Sequence, residues 1–404
     1  MAIRPILSAL SRNATGALLI ALQIALTMAI ITNATFILRE RTAYIERPSG
    51  LDEENTLVAV TTDFAADLDS RALLARDLDH LNAMPGVRAA IVSHSVPVSG
   101  SGNGETYQVA RDTPSNEAVS FGNFSADENG LEALGLELVA GRNFRPEEIR
   151  WRTLESHENQ SVVLVSQALA DALFPDGNAV GQLVWEGPTA ESPTEIIGVY
   201  DEMQNAWPTS SNVDRTSLQP FRDLSTQYRH FIIRAEPGQR DRVLSEVEQY
   251  LGEERGRMLY VIRTYEEQKR RTYAQDIAMV RLLTGVVVVL GTITAFGIVG
   301  LAWFSVTQRR KQIGTRRALG ARKRDVMAHF MIENWLITTL GLILGTAGAL
   351  ALNWFLDTEY QVGRMPLWYL PAGVLALWVL GQLAVLAPAR RAAAVPPALA
   401  TRSV

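Results

Sequence analysis

The stretch "LLTGVVVVLGTITAFGIVGLAWFSVTQRRKQIGTRRALGARKRD" (282–325) joins an apolar run directly to a basic one. Residues 282–308 contain no charged side chain, whereas eight of the eighteen residues in 308–325 are Arg or Lys. An α-helix crosses a hydrocarbon core of about 30 Å with roughly 20 apolar residues. The stretch therefore predicts a membrane span that ends in a strongly basic connection.

Three further windows, 13–38, 334–356 and 365–389, also lack charged residues. Together the four windows predict an α-helical membrane protein with four transmembrane helices, at 14–38, 282–308, 334–356 and 365–389. The first window is longer than the roughly 7–15 apolar residues of a signal peptide, which indicates a retained anchor. The chain has no cysteine, which excludes disulfides, thiolate metal sites and cysteine nucleophiles.

The distribution of Lys and Arg predicts the orientation, because basic short loops stay on the cytoplasmic side of a membrane. Basic residues precede the first span, fill the 308–325 connection and follow the last span, while the whole chain carries a net charge of −5. We therefore expect an inner-membrane protein with an acidic periplasmic segment. The expected cytoplasmic segments are 1–13, 309–333 and 390–404, and the expected periplasmic segments are 39–281 and 357–364.

Two strand–helix–strand patterns frame the long segment 39–281. The first pattern covers 56–93 and the second 229–263, and such paired units predict a ferredoxin-like α+β sheet split into two halves. The Gly-rich and strand-rich region 99–226 between them predicts an inserted second α+β subdomain. We expect residues 264–281 to form one unbroken helix into the second span, so that two extended helices make a stalk under the large α+β extracytoplasmic domain.

The sequence offers no catalytic, cofactor-binding or metal site. The Gly-rich "SGSGNGE" (99–105) lacks the Lys of a P-loop, GxxxxGK[ST], and is interpreted as a flexible loop. The sequence "HENQS" (157–161) has Ser161 where the second His of HExxH should stand. We interpret a cluster of acidic residues and one His as a solvated helix face; its members are Asp67, Asp69, Asp77, Asp79 and His80.

The four apolar windows also lack the charged residues on which intramembrane ion pathways depend. Gln23 and Gln382 are expected to form hydrogen bonds between helices. Gly341, Gly345 and Gly348 have the small-xxx-small spacing that permits close helix packing. A dimer seam at these glycines is the alternative interpretation.

Several long motifs give the chain a strong resemblance to the MacB/FtsX-type permeases of ABC transporters. The passages "RRKQIGTRRALGARKRDV", "HFMIENW" and a Gly-rich third span are similar to the membrane part of that family. "GLELVAGRNF", "VVLVSQALADALFPDGNAVGQ" and "EIIGVYDE" are similar to its periplasmic core domain, and "APARRAAAVPPALA" to its C-terminal tail. The nucleotide-binding domain that MacB carries is missing from these residues, so the resemblance implies a separate ATPase subunit that binds ATP and Mg.

In that family the connection between the second and third spans contacts the ATPase. The residues predict short helical turns with a break at Gly320, and the resemblance implies a coupling role for the connection. Arg side chains offer forked donors to an acidic partner surface. We expect Ile313, Leu319 and Ala321 to insert into the ATPase and Arg316 and Arg317 to clamp it, with Gly314 in the same element. Glu333, at the start of the third span, is expected to pair with a nearby Arg.

The resemblance implies a permease that transmits ATP-driven motion to its periplasmic domain and drives efflux or export from the periplasmic side. The implied partners are an ABC ATPase, a second permease copy or a sister permease, membrane lipid, a periplasmic adaptor and an outer-membrane channel; no nucleic acid is expected. Two alternatives stay open. One is lipoprotein extraction from the inner membrane, and the other is a non-transporting signal transmitter that activates a periplasmic partner. A topology anchor that only contacts anionic lipid is the simpler interpretation of the basic connection.

Overall fold

The computed structural model describes residues 14–65, 69–111, 114, 117–153, 160–187 and 192–396. The chain forms two compact units. A helical unit comprises the chain up to Ile45 and from Asp276 onward, and an α/β unit comprises Glu46–Gln275. His157, Glu158 and Asp67 of the sequence analysis lie outside the described residues.

The helices and strands of the described residues are numbered here in chain order. They are α1 (Ala14–Glu46), β1 (Thr56–Asp63), α2 (Ser70–Ala83), β2 (Val87–Ser93), β3 (Asn103–Gln108), β4 (Val119–Ala126), α3 (Gly130–Leu134), β5 (Leu138–Gly141), β6 (Arg150–Arg152), β7 (Val162–Ser166), α4 (Gln167–Leu173), β8 (Leu183–Glu186), β9 (Thr194–Tyr200), β10 (Thr216–Asp223), β11 (Tyr228–Ala235), α5 (Arg240–Gly252), β12 (Arg257–Thr264), α6 (Tyr265–Thr272), α7 (Ala274–Gln308), α8 (Arg310–Ala318), α9 (Lys323–Tyr360) and α10 (Tyr369–Ala393).

Four helices, α1, α7, α9 and α10, are long and apolar enough to cross a membrane, as predicted. The third is longer than expected, because α9 begins at Lys323, eleven residues before the uncharged window. The prediction of one unbroken helix over 264–281 is wrong. Tyr273, whose side chain is 1% exposed, separates α6 from α7, because its backbone angles (φ −86°, ψ +11°) depart from those of a helix.

The glycines of α9 pack against α1 within the same chain. A Cβ atom on Gly341 would lie 2.7 Å from the carbonyl oxygen of Ala21, and one on Gly345 would lie 2.6 Å from the Cβ of Met28. Only residues without a side chain allow this approach. Close packing thus occurs inside the helical unit, while a Cβ on Gly348 would make an ordinary contact of 3.5 Å with Ala29.

Polar side chains also join the spans, as between α1 and α7. Gln23 donates from Nε2 to the carbonyl oxygen of Ile293 at 3.2 Å, as predicted, and the hydroxyls of Thr27 and Thr294 are 2.7 Å apart. The hydrogen bond expected of Gln382 is not formed at its amide nitrogen, because Nε2 is buried without a partner among the described residues. The sequence does not show which neighbouring group the Gln382 amide faces.

The α/β unit contains the predicted split ferredoxin-like sheet. Its strand order is β12-β1-β11-β2, with antiparallel neighbours throughout. Helices α2 and α5 cover one face, where Leu74, Leu78 and Val247 pack with Phe231. The other face packs against the inserted region through Val58, Ile91 and Ile232, among others.

The inserted region closes into a ring of six strands that the sequence analysis did not predict. Its order is β4-β3-β8-β9-β7-β10, and β10 pairs again with β4, in parallel. Strand β6 adds to β10 and β5 to β9. The loop interpretation of 99–105 is wrong at its end, because Asn103–Gln108 form strand β3 of this ring.

The acidic cluster on α2 is only partly a solvated face. Asp69 caps the helix by accepting from the backbone amides of Arg71 and Ala72. Asp77 is fully buried and pairs with Arg257 at 2.5 Å, so the prediction is wrong at Asp77. A buried carboxylate needs such a charged partner because burial removes its hydration.

Candidate functional site

Helix α8 forms the centre of the basic connection between α7 and α9. Ile313 is 6% exposed and packs against Val326 and Phe330 of α9. The same cluster includes small residues at the end of α10 and just beyond it, which are Ala389, Ala392, Ala393 and Val395. Helix α8 therefore rests on both neighbouring helices through an apolar contact of its own.

Two polar contacts add to this support. Arg309, between α7 and α8, donates from Nη1 to Oε2 of Glu333 on α9 at 2.9 Å. Arg317 donates from Nη1 to the carbonyl oxygen of Ala393 at 2.5 Å. The guanidinium of Arg391 on α10 also lies 4.8 Å from the ring centre of Trp303 on α7. Displacement of α8 would thus act directly on α7, α9 and α10.

The end of α8 is a sharp turn. Gly320 has a φ angle of +97°, in the left-handed region that glycine adopts without steric cost. The amide of Arg322 then donates to Oδ2 of Asp325 at 3.0 Å and starts α9. Leu319, immediately before Gly320, is 83% exposed. The turn therefore presents an apolar side chain at the tip of a basic element.

The charged side chains of this element face outward. Six basic residues are exposed, and they are Arg310, Lys311, Arg316, Arg322, Lys323 and Arg324. Asp325 is the one acidic residue within 308–325. Such a surface attracts acidic protein surfaces and anionic lipid head groups alike.

The residues that were singled out as the coupling site differ in their exposure. Leu319 and Arg316 are exposed, and Ala321 is half-buried. Ile313 and Gly314 are buried within the helical unit, and Arg317 is bound to Ala393. The expectation that Ile313 inserts into a partner is wrong for this arrangement, because its side chain is already packed inside the chain.

Sequence reasoning missed two features of the site. The partner of Glu333 is Arg309, which precedes it by twenty-four positions. The seat of α8 at the end of α10 had a visible signal, since alanines at 389, 392 and 393 share the i, i+3, i+4 spacing of one helix face. An alanine-rich end looks like an ordinary C-terminal tail, so the three alanines were not recognised as one helix face.

Comparisons with known families match both units of the chain. The FtsX-like permease C-terminal model matches residues 284–397, and the MacB-like periplasmic core domain model matches residues 17–250. The second match covers more than half of the chain.

Curated relatives and solved structures are also similar to parts of the chain. A macrolide export ATP-binding/permease protein MacB of Chromobacterium violaceum is 25% identical over 309 residues, covering 72% of this chain and 45% of the relative. The MacB of Nitrosomonas europaea is 30% identical over 264 residues, covering 62% of this chain and 38% of the relative. The chain thus spans less than half the length of these relatives. The crystal structure of the periplasmic region of MacB from Actinobacillus actinomycetemcomitans is 14% identical, with a TM-score of 0.34, over 56% of this chain and 96% of that one.

Proposed function

Because the chain belongs to the MacB/FtsX-type family of ABC transporter permeases, we propose that α8 and its turn couple an ATPase to the periplasmic core domain. The 404 residues contain no P-loop motif. In this proposal, ATP and Mg are bound and ATP is hydrolysed by an ATPase subunit outside these residues, which docks on the exposed tip of the basic connection.

One observation carries the proposal. Leu319 projects into solvent from an element whose base is fixed by Ile313 and by the Arg309–Glu333 ion pair. Interface energy is concentrated in a few side chains that become buried in the partner, with Arg enriched among them, and Leu319 and Arg316 are both exposed here. A topology anchor would need the positive charge alone.

Transmission follows from the contacts of α8. A push on Leu319 moves a helix joined to α7 through Arg309, to α9 through Glu333 and to α10 through Ala393. Packed helices shift as rigid elements because their interiors are close-packed. Helix α7 is continuous from Gln308 back to Ala274, where the chain leaves the α/β unit. We propose that this helix carries the motion toward the periplasmic domain.

Transport is proposed to occur on the periplasmic side. The apolar windows of the spans have no charged residues for a polar pathway. The large two-part α/β unit offers the surface on which substrate would be handled and expelled. We propose a dimer with a second copy or sister permease in the inner membrane, working with a periplasmic adaptor and an outer-membrane channel.

The orientation can be tested independently, because the chain has no native cysteine. Ser101 and Thr315 are both exposed. With both termini in the cytoplasm, Ser101→Cys should react with an impermeant thiol reagent in cells with a permeabilised outer membrane. Thr315→Cys should react only after lysis. The reversed pattern would exclude cytoplasmic coupling through α8.

The docking proposal is tested by co-purification with the ABC ATPases of the source cell. Leu319→Ala and Arg316→Ala should each reduce recovery of the ATPase and the ATPase activity of the complex. Leu340→Ala, a similar apolar change at a half-exposed position of α9, is the matched control. Recovery unchanged in both tip variants would leave the basic connection as a topology anchor.

A further inference from the structure

A partly open cavity of about 120 Å³ lies between α1, α7, α9 and α10 of the helical unit. Most of its wall is apolar and includes Ala17, Ile20, Ile298, Ala302 and Ile337. Arg309, Glu333 and Asn334 line its other part. The cavity is therefore amphipathic, with charged groups and an apolar wall in one space.

The charged part of the cavity has unused hydrogen-bonding capacity. Arg309 and Glu333 form one contact, from Nη1 to Oε2 at 2.9 Å, with side chains 18% and 10% exposed. Among the described residues this is the one hydrogen bond that the Arg309 guanidinium donates, although it has five N–H groups. It is likewise the one hydrogen bond that the Glu333 carboxylate accepts, on Oε2. A cation with spare donors thus lies beside an anion with a spare acceptor.

The length of the cavity along α7 is close to the thickness of one leaflet of a bilayer. Arg309 directly follows α7, and Ile298 lies eleven positions earlier on that helix. At about 1.5 Å per residue, the wall extends roughly 16 Å from the ion pair into the span. That distance is about half of a hydrocarbon core of roughly 30 Å. A ligand with its head at Arg309 would therefore have its tail at the depth of acyl chains.

We propose that this cavity binds one zwitterionic aminophospholipid. Its phosphate oxygens accept hydrogen bonds from the free N–H groups of Arg309, and its ammonium donates to the free oxygen of Glu333. One acyl chain packs against Ile20, Ile298 and Ile337. Phosphatidylglycerol offers the same phosphate but only neutral hydroxyls, which are weaker donors to the Glu333 carboxylate than an ammonium, and a choline head group has no N–H to donate. The site requires only that the helices span a membrane, and it is independent of the coupling proposal.

The experiment is native mass spectrometry of the full chain in mild detergent. The probes are phosphatidylethanolamine, phosphatidylglycerol and phosphatidylcholine with identical acyl chains. We expect one phosphatidylethanolamine to be retained, bound about tenfold more tightly than either other lipid, since hydrogen bonds to charged groups are the strong ones. Glu333→Gln should remove the preference over phosphatidylcholine.

Substitutions that fill the cavity test whether the lipid binds there. Ala302→Leu and Ala17→Leu enter from two different helices and should each abolish retention of the lipid. Ala347→Leu, on an exposed position of α9, is the matched control and should retain it. Thermal unfolding of each variant identifies any that fails to fold.

Three results would overturn the proposal. They are retention by a folded cavity-filling variant, equal binding of phosphatidylglycerol by the parent, and an unchanged head-group preference in Glu333→Gln. The first would place the lipid elsewhere on the bundle. The second would indicate attraction to the basic surface of α8. The head-group preference of the parent decides the matter even where both filling variants unfold.

Discussion

Alanine substitutions at Ile313 and Leu319 separate the support of α8 from its proposed contact with an ATPase. Each substitution removes three carbon groups from the side chain. Burial of one such group contributes about 0.8 kcal/mol to the free energy of unfolding. Ile313 is 6% exposed. Ile313→Ala therefore loses about 2.4 kcal/mol of transfer free energy, to which the cavity left behind adds. Leu319 is 83% exposed, so Leu319→Ala costs about 0.4 kcal/mol.

The two variants should give opposite results in two assays. In detergent, Ile313→Ala should lower the unfolding temperature of the chain or increase hydrogen exchange across 310–318, while Leu319→Ala leaves both near those of the parent. In co-purification, Leu319→Ala should weaken ATPase binding by about 2 kcal/mol, roughly 30-fold, if it is an interface anchor. Because Leu319→Ala should leave the stability of the chain unchanged, the loss of binding can be attributed to the interface.

Two results would refute this reasoning directly. If Leu319→Ala increased hydrogen exchange in α8 as much as Ile313→Ala does, Leu319 would be a packing residue in the membrane-bound protein. If Ile313→Ala changed neither stability nor exchange, the apolar seat of α8 would not exist. Either outcome would remove the rigid base on which the coupling proposal depends.

Burial raises the pKa of the Asp127 carboxyl from 3.8 to about 6, with Glu128 as the second cause. Because the folded-state value is the higher one, stability is lost as the pH rises between those values, by up to about 3 kcal/mol. Asp127→Asn should therefore raise the unfolding temperature more at pH 7.5 than at about pH 4.5, and equal effects would contradict this. Gly345→Leu should lower the unfolding temperature, at a cost of about 1–3 kcal/mol or more, because its Cβ meets Met28; an unchanged temperature would show that α1 and α9 are not in contact. Glu333→Ala leaves Arg309 unpaired, and thermal unfolding should show a loss of about 3–5 kcal/mol, whereas no loss would mean the pair is solvated.

Local patterns predicted the parts of this fold that depend on one segment at a time. An uncharged window of sufficient length predicts a span wherever it occurs, and all four spans were found. The alternation of strand and helix in 56–93 and 229–263 was enough to predict the split ferredoxin-like sheet. The turn at Gly320 was also predicted, because glycine after a basic helical stretch is a typical helix end.

The candidate site was only half predictable, and Ile313 shows why. An apolar residue in a basic segment indicates a buried contact, but the pattern does not state whether the contact is within the chain or with a partner. Ile313 packs against residues up to 82 positions away, at Val395. Leu319, six residues later and equally apolar, is exposed because six residues at about 100° each place it about 120° around the helix from the face of Ile313.

The sequence by itself determined the four spans, the basic connection, the split sheet and the family. Each of these depends on composition or on spacing within one element. Only the tertiary structure decided that β10 closes a ring with β4, that Gly345 faces α1, and that Glu333 binds Arg309. These contacts join segments far apart in the chain. Their partners are chosen by shape and charge once the elements pack together, and no periodicity within either segment records that choice.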